Sequence, residues 1–239
     1  EMLPRAIDRI LAAKQAEPTA IAALFNLIAT GEHASEKAAQ QCLAILAQRV
    51  QSRELSGEQL HALRPHLEQS LARIVADDNH PARLQAAMLA ASWQDMRALE
   101  LVRSILNDKK QNDQTRRGAL EALIAAQDAT ILPQVRNILL SPKETSVQFR
   151  GDLVSALGRL SSEQVGSLIV ELLPQLEPEL QPRAIEVITQ RVPWAKQLLA
   201  GIESKKIDPN FIHANQARKL TELNDAEITE QLAKHWGTV

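Results

Sequence analysis

Along most of the chain, apolar residues recur at steps of three and four in runs separated by short polar connections, the pattern of amphipathic helices. No window combines β-branched residues with period-two alternation over the length of a strand. The runs predict helices near 3–15, 19–30, 35–52, 57–76, 81–93, 96–107, 114–126, 129–140, 147–160, 162–173, 180–191, 194–203, 210–223 and 225–236. Ser56 with Gln59 and Ser161 with Gln164 fit capping boxes, and Asn224 with Glu227 is a close variant. Pro4, Pro81, Pro182 and Pro193 stand at or just before helix starts, where a missing N–H costs nothing because first-turn donors have no intrahelical partner. Gly31 and Gly237 stand where C-terminal caps belong.

The helices repeat. A basic residue opens an Ala/Leu-rich segment at Arg5, Lys37, Arg83, Arg117, Arg150 and Arg183, with spacings of 32, 46, 34, 33 and 33 residues. The next position is Ala6, Ala38, Leu84, Gly118, Gly151 and Ala184, small in five of six, which lets helix backbones approach closely. Five positions after the basic residue come Ile10, Cys42, Met88, Ala122, Ser155 and Ile188, and one further on Leu11, Leu43, Leu89 and Leu123. These columns are expected to be core. The 46-residue step carries an excess of about 13 residues around Arg53–Pro65, and Pro65 is expected to kink or split its helix.

Each unit reads as two helices, and a single pair cannot bury its apolar face alone. Stacked pairs sharing one continuous core give an all-α fold, a right-handed α-α superhelix of about seven helix pairs. The expected organisation is one domain over 1–239, with six repeats in 1–207 and a C-terminal helix pair in 208–239. The chain starts at Glu1 without an initiator Met and stops after Trp236-Gly237, so it is expected to be a segment of a longer protein.

Composition agrees with helices. Gly and Pro number 8 and 11, hydrophobic content is 45%, and aromatics are 3% with no Tyr, which excludes low-complexity and collagen-like classes and leaves poor material for a β-sandwich. Lys and Arg total 27 against 29 Asp and Glu, and neither half is polarised, with 15 basic and 14 acidic residues in 1–120 and 12 and 15 in 121–239. That balance argues against a phosphate-backbone partner. A membrane span is not expected, since no stretch approaches about 18 apolar residues. One cysteine forbids an internal disulfide.

Candidate chemistry is sparse. Cys42 falls in the core column with no histidine near it in sequence, so a buried thiol is preferred to a nucleophile. Of His33, His61, His66, His80, His213 and His235, only His61 and His66 are close, and a five-residue step does not put two imidazoles on one helix face. Asp77-Asp78, followed by Asn79-His80-Pro81, reads as a turn and cap in preference to a cation site. Arg83, Arg117, Arg150 and Arg183 either line one edge and bind an anion or bridge acidic groups and helix-end carbonyls, and the bridging role is preferred. Lys109-Lys110 with Arg116-Arg117, and Lys205-Lys206, read as solvated loop charge. Gly-rich phosphate loops, a G-x-S-x-G elbow and H-E-x-x-H do not occur. No catalytic, cofactor-binding or metal-ligating residue is therefore assigned.

Arg150, Leu153, Ala156-Leu157-Gly158-Arg159-Leu160 and the apolar Val165–Leu173 run resemble a HEAT repeat, as do Pro81-Ala82-Arg83 with Ala86–Leu89 and Arg117 with Ala119–Leu123. The likeness covers roughly 3–203 and implies a HEAT/armadillo-like solenoid. A second, narrower resemblance spans about 40 residues. Leu198-Leu199, Ile202-Glu203, Lys205-Lys206-Ile207, Asp208-Pro209, Gln216, Leu220, Asn224-Asp225, Ile228, Leu232 and Trp236-Gly237 are similar to the stretch preceding the cytochrome c module in large planctomycete-type haem-binding dehydrogenases. Those haem modules carry C-x-x-C-H, whereas here Leu43-Ala44-Ile45-Leu46 follows Cys42, so this segment cannot attach haem through that motif. The resemblance implies a c-type haem in an adjacent domain of the parent protein, and a periplasmic or cell-envelope location, because c-type haem is attached outside the cytoplasm.

These readings converge on a non-catalytic scaffold or spacer whose partner is a protein or a neighbouring domain of the same chain. The alternative is a nucleic-acid-binding or DNA-repair solenoid similar to the alkylpurine DNA glycosylases, for which Trp93 with Asp95, or Trp194, would have to supply the acidic-aromatic pocket.

Overall fold

The computed structural model describes residues 9, 18–30, 35–52, 54–55 and 57–236. Among them the chain is all-α, with 13 α-helices, three 3₁₀ turns and no strand. By contact the chain divides into two compact units, Glu1–Ala126 and Gln127–Val239. The expected helix at 3–15, Pro4, Gly31, Ser56, Gly237 and the first repeat's Arg5, Ala6, Ile10 and Leu11 lie outside the described residues.

The first unit contains α1 (Pro18–Thr30), α2 (Glu36–Gln51), α3 (Gly57–Ala76), α4 (Arg83–Ala91), α5 (Met96–Asn107) and α6 (Asp113–Ala125). Helices two apart in the chain pack together: α1 with α3, α2 with α4, and α4 with α6. Phe25, Leu43, Leu46, Leu63, Leu67, Leu89, Leu106 and Leu120 are fully buried between them. Pro65 does not split α3, which runs unbroken from Gly57 to Ala76. Pro65 and His61 are both exposed, so the carbonyl deprived of its donor faces water, while buried Leu63, Leu67 and Leu71 hold the opposite face. The extra length of this repeat is absorbed in long helices, 16 residues in α2 and 20 in α3.

The second unit contains α7 (Leu132–Leu139), α8 (Val147–Leu157), α9 (Gln164–Leu172), α10 (Gln181–Ile188), α11 (Val192–Glu203), α12 (Ala214–Glu222) and α13 (Ala226–Trp236). The same rule holds: α7 packs on α9, α9 on α11, α11 on α13, and α8 on α10. Polar side chains tie these neighbours at a near-constant sequence step. Arg136 bonds Glu171 at 2.7 Å, Lys219 bonds Glu186 at 2.6 Å, Trp194 Nε1 donates to the Ser162 carbonyl at 3.1 Å, and Arg191 Nη2 donates to the Gly158 carbonyl at 3.1 Å. The partners lie 35, 33, 32 and 33 residues apart.

The repeat columns are sharper than their sequence suggested in one place and blunter in another. Six positions after the basic residue, Leu43, Leu89, Leu123, Ala156 and Thr189 are all buried. One position earlier, Cys42, Ala122 and Ile188 are buried, Met88 is half-buried and Ser155 is exposed, so that column lies at the edge of the core and not wholly within it. The small-residue column does admit close neighbours, since a Cβ on Gly118 would meet Met88 Cε at 3.1 Å and one on Gly151 would meet Arg183 Nη1 at 2.9 Å.

Helix ends depart from the expected caps. Ser161 is not the N-cap of α9, whose cap residue is Glu163: the Ser162 hydroxyl accepts from the Gln164 N–H at 3.2 Å, and the Ser161 N–H donates to Gln127 Oε1 at 2.8 Å. Asn224 sits at φ 53, and Asp225 caps α13 by accepting from the Glu227 and Ile228 N–H groups at 3.1 and 3.2 Å. Asp95, Asn112 and Ser146 cap α5, α6 and α8. Pro182 and Pro193 sit in the first turns of α10 and α11 as expected.

Candidate functional site

Two arginines bond helix-end carbonyls and two stand against carboxylates. Arg83 Nε donates to the Val75 carbonyl in the last turn of α3 at 2.9 Å, and its Nη2 meets Asp78 at 2.7 Å. The equivalent bond one repeat on is made by Arg116, not Arg117: Arg116 Nε donates to the Leu106 carbonyl in the last turn of α5 at 2.9 Å. Arg116 is therefore not solvated loop charge. It is 3% exposed, and burial pulls its guanidinium below the ordinary arginine value. Arg150, also 3% exposed, pairs through Nη2 with Glu177 at 2.6 Å, and Arg183 lies 3.7 Å from Asp152. Lys109, Lys110, Lys205 and Lys206 are exposed.

Other reactive residue types are likewise engaged in the fold. Cys42 is 1% exposed and burial pushes its thiol up to about 12. His61 and His66 are both exposed on α3. His80 Nδ1 accepts from the Ala82 N–H at 3.1 Å, and Asp77 Oδ1 accepts from the Asn79 N–H at 3.0 Å, so this segment is a turn. His213 precedes α12, and its N–H donates to Gln216 Oε1 at 3.1 Å, half of a capping box that the sequence pattern does not single out. His33 and the side chain of His235 lie outside the described residues. Among the described residues, no group of three or more His, Cys, Asp or Glu is placed to hold a metal ion.

Trp93 and Asp95 do border one cavity, of about 200 Å³, together with Glu68 and Arg97. Both are already committed to the fold, since the Trp93 indole N–H donates to the Leu60 carbonyl at 3.0 Å, and Asp95 Oδ1 caps α5 through the Ala98 N–H at 2.8 Å. Trp194 is 1% exposed. No family model matches the chain, and no curated protein matches it. No described helix is long and apolar enough to cross a membrane.

A further cleft lies in the second unit, where the 204–213 connection faces α10 and α12. Its volume is about 330 Å³, and Pro178, Pro182, Ile185 and Phe211 supply apolar walls beside Asp208, His213 and Gln216. The connection is held by what surrounds it. Ile207 and Ile212 are 1% and 3% exposed and anchor its two ends, and Asp208 Oδ1 accepts from the Asn210 N–H at 2.9 Å, fixing the Pro209–Phe211 turn. Sequence reasoning missed this site because its walls come from segments some thirty residues apart, and Phe211 alone carries no motif.

Proposed function

We propose that the chain is a non-catalytic HEAT/armadillo-like solenoid acting as a scaffold or spacer for protein–protein or interdomain contact. The observation that carries this reading is the step of about 33 residues at which side chains bond back along the chain, Trp93 to the Leu60 carbonyl, Trp194 to the Ser162 carbonyl, and Lys219 to Glu186. Such nearest-neighbour bonding is what stacked repeats require. The engagement of Arg83, Arg116, Asp95 and both buried tryptophans in structural bonds supports a role without turnover.

The reading extends to a parent protein in which this segment separates reactive modules, one of them a c-type haem domain, in the periplasm or cell envelope. The likeness of Leu198–Gly237 to the haem-binding dehydrogenases carries that extension alone. Solution scattering tests the solenoid. A compact chain of this length has a radius of gyration of about 18 Å, whereas about seven pairs stacked at roughly 10 Å each reach a value on the order of 23 Å. A radius near the compact figure, or a two-peaked distance distribution from separate lobes, overturns the continuous stack. Turnover of a sugar or quinone substrate by the chain itself overturns the non-catalytic assignment.

A further inference from the structure

We infer that the second-unit cleft is a docking pocket for a single lysine or arginine side chain presented by an extended peptide segment of a partner protein. The inference rests on the scaffold reading above and deepens it by naming the partner's chemistry.

Two features single out the cleft. Phe25, Phe149, Trp93 and Trp194 are buried, while Phe211 is the one Phe or Trp ring with a described side chain that remains partly exposed, and it lines this cleft. Partly exposed aromatic rings in concave sites are the usual anchors of recognition. Second, the ten-residue connection that carries Phe211, between α11 and α12, is the longest between described helices. An ordered long loop pinned at both ends by buried isoleucines is a positioned element.

The walls decide the ligand. Pro178, Pro182 and Phe211 make an apolar channel suited to the methylene stem of a long side chain. Asp208 is the only carboxylate among the lining residues, and no lysine or arginine lines the cleft. Asp208 Oδ1 is bonded to the Asn210 N–H, which leaves the second oxygen to meet a cationic head. Of the acids nearby, Glu177 pairs with Arg150 and Glu186 with Lys219, so these two do not compete for that head. Lys206 lines a different groove, with Ser167 and Gln197, and does not oppose a cation here. Gln216 uses its Oε1 to accept the His213 N–H, which leaves its amide N–H₂ as a donor for the peptide backbone carbonyl. A volume of about 330 Å³ is at the small end for ligand sites, which fits one side chain and not a drug-sized body.

The test uses the full chain and blocked Gly-Ala-X-Ala-Gly peptides with arginine, lysine, norleucine or glutamate at X, followed by amide chemical-shift changes and by fluorescence anisotropy. The arginine and lysine peptides are expected to move the resonances of Phe211, His213 and Gln216. Asp208→Asn is expected to weaken them about tenfold, the size of one charge-assisted contact. Asn keeps an oxygen for the turn bond to Asn210, so this variant should fold as the parent does, and unchanged circular dichroism checks that it does. Phe211→Ala should weaken both peptides, and Glu100→Gln, at an exposed position of α5 in the first unit, should not. Equal binding of the norleucine or glutamate peptide, absence of shifts at the cleft, or insensitivity to Asp208→Asn overturns the pocket. An elongated scattering profile with no peptide binding defeats the pocket and keeps the scaffold, whereas a compact profile defeats the scaffold reading itself.

Discussion

Gln94 and Gln127 stand 33 residues apart, both in the left-handed region at φ 63 and 54, and each carboxamide donates to a main-chain carbonyl 32 residues further on. Gln94 Nε2 reaches the Ala126 carbonyl at 2.6 Å, and Gln127 Nε2 reaches the Arg159 carbonyl at 2.9 Å. The period is thus written in the turns between paired helices as well as in the apolar columns. A left-handed residue in the turn re-aims the chain, and a side chain long enough to cross to the next pair satisfies an orphan carbonyl there.

Replacing Gln127 separates these two contributions. Gln127→Ala loses the bonds to Arg159 and from Ser161 while keeping the φ penalty, and should lower unfolding free energy by about 1–2 kcal/mol. Gln127→Gly loses the same bonds but relieves the left-handed strain, so it should be about 1 kcal/mol more stable than the Ala variant. Urea denaturation of the two variants side by side checks the ordering. Ala matching or exceeding Gly would remove the strain argument.

Arg116 is where local pattern and packing part company. Its sequence neighbours Lys109, Lys110 and Arg117 look like one basic surface loop, yet its stem is buried and its Nε closes the end of α5. Arg116→Ala removes that packing and orphans the Leu106 carbonyl, which should cost about 2–3 kcal/mol. Lys110→Ala, on an exposed side chain, should change stability by no more than about 0.5 kcal/mol. Equal effects in a chemical denaturation series would return Arg116 to the surface.

The all-α class and the places of the described helices were legible in the sequence because they depend on apolar periodicity summed over many residues. Thirteen of the expected helices appear at their expected places with ends displaced by a few residues, and α3 and α5 match to the residue. What was illegible depends on a single competition. Arg116 and Arg117 are adjacent, and only the helical phase set by buried Ala119, Leu120 and Leu123 decides which one points inward. Ser161 and Asn224 are good caps by type but lose to Glu163 and Asp225 by one or two positions, since the Gln164 N–H goes to the Ser162 hydroxyl and Asn224 takes up the left-handed turn. The cleft was hidden for a different reason, since its chemistry is assembled by stacking and carried by no contiguous motif.

Cys42 gives a pH dependence with a definite sign. The folded-state thiol is raised from 9.0 to about 12 by burial, so between those values the unfolded chain has released its proton while the folded chain keeps it. Stability contributed by the neutral thiol is fully present below pH 9.0 and falls as pH rises toward the folded value, by about 1.4 kcal/mol per pH unit. Cys42→Ala should be less stable at pH 7 by about 1–2 kcal/mol from the vacated core volume, but should lose less between pH 9 and 11. The native thiol should resist disulfide-exchange reagents at pH 8 and react on unfolding. Prompt reaction of the folded protein would place the sulfur outside the core.

Pro65 sits inside α3, the longest described helix, at a position that gains nothing visible from proline. Neither its ring nor the freed His61 carbonyl packs into the core, as both residues are exposed. Pro65→Ala restores a main-chain bond in the middle of α3 and should stabilise the chain by about 1–3 kcal/mol. A thermal shift upward of several degrees checks it, and an unchanged or lowered midpoint would mean that the ring's contacts or its bend in α3 contribute to the first unit.

Gly166 and Gly57 test the close approach of stacked helices against simple helix propensity. A Cβ on Gly166 would stand 2.5 Å from Gln197 Oε1 and 2.9 Å from Trp194 Cδ1, both on the neighbouring α11. The Gln197 carboxamide is partly exposed and can move, but Trp194 is 1% exposed and is held by its bond to the Ser162 carbonyl, so the indole cannot withdraw without losing that bond. Gly166→Ala should therefore cost about 1–3 kcal/mol despite the better helix former. Gly57 opens α3 with nothing within 4 Å of its added methyl, and Gly57→Ala should stabilise by about 0.5 kcal/mol through the unfolded chain. With Trp93 and Trp236 replaced by Phe, Trp194 emission reports the first substitution alone: a shift with Gly166→Ala and none with Gly57→Ala is expected. The same sign of stability change in both variants would show that α9 and α11 are not in the tight register that their ladder of bonds requires.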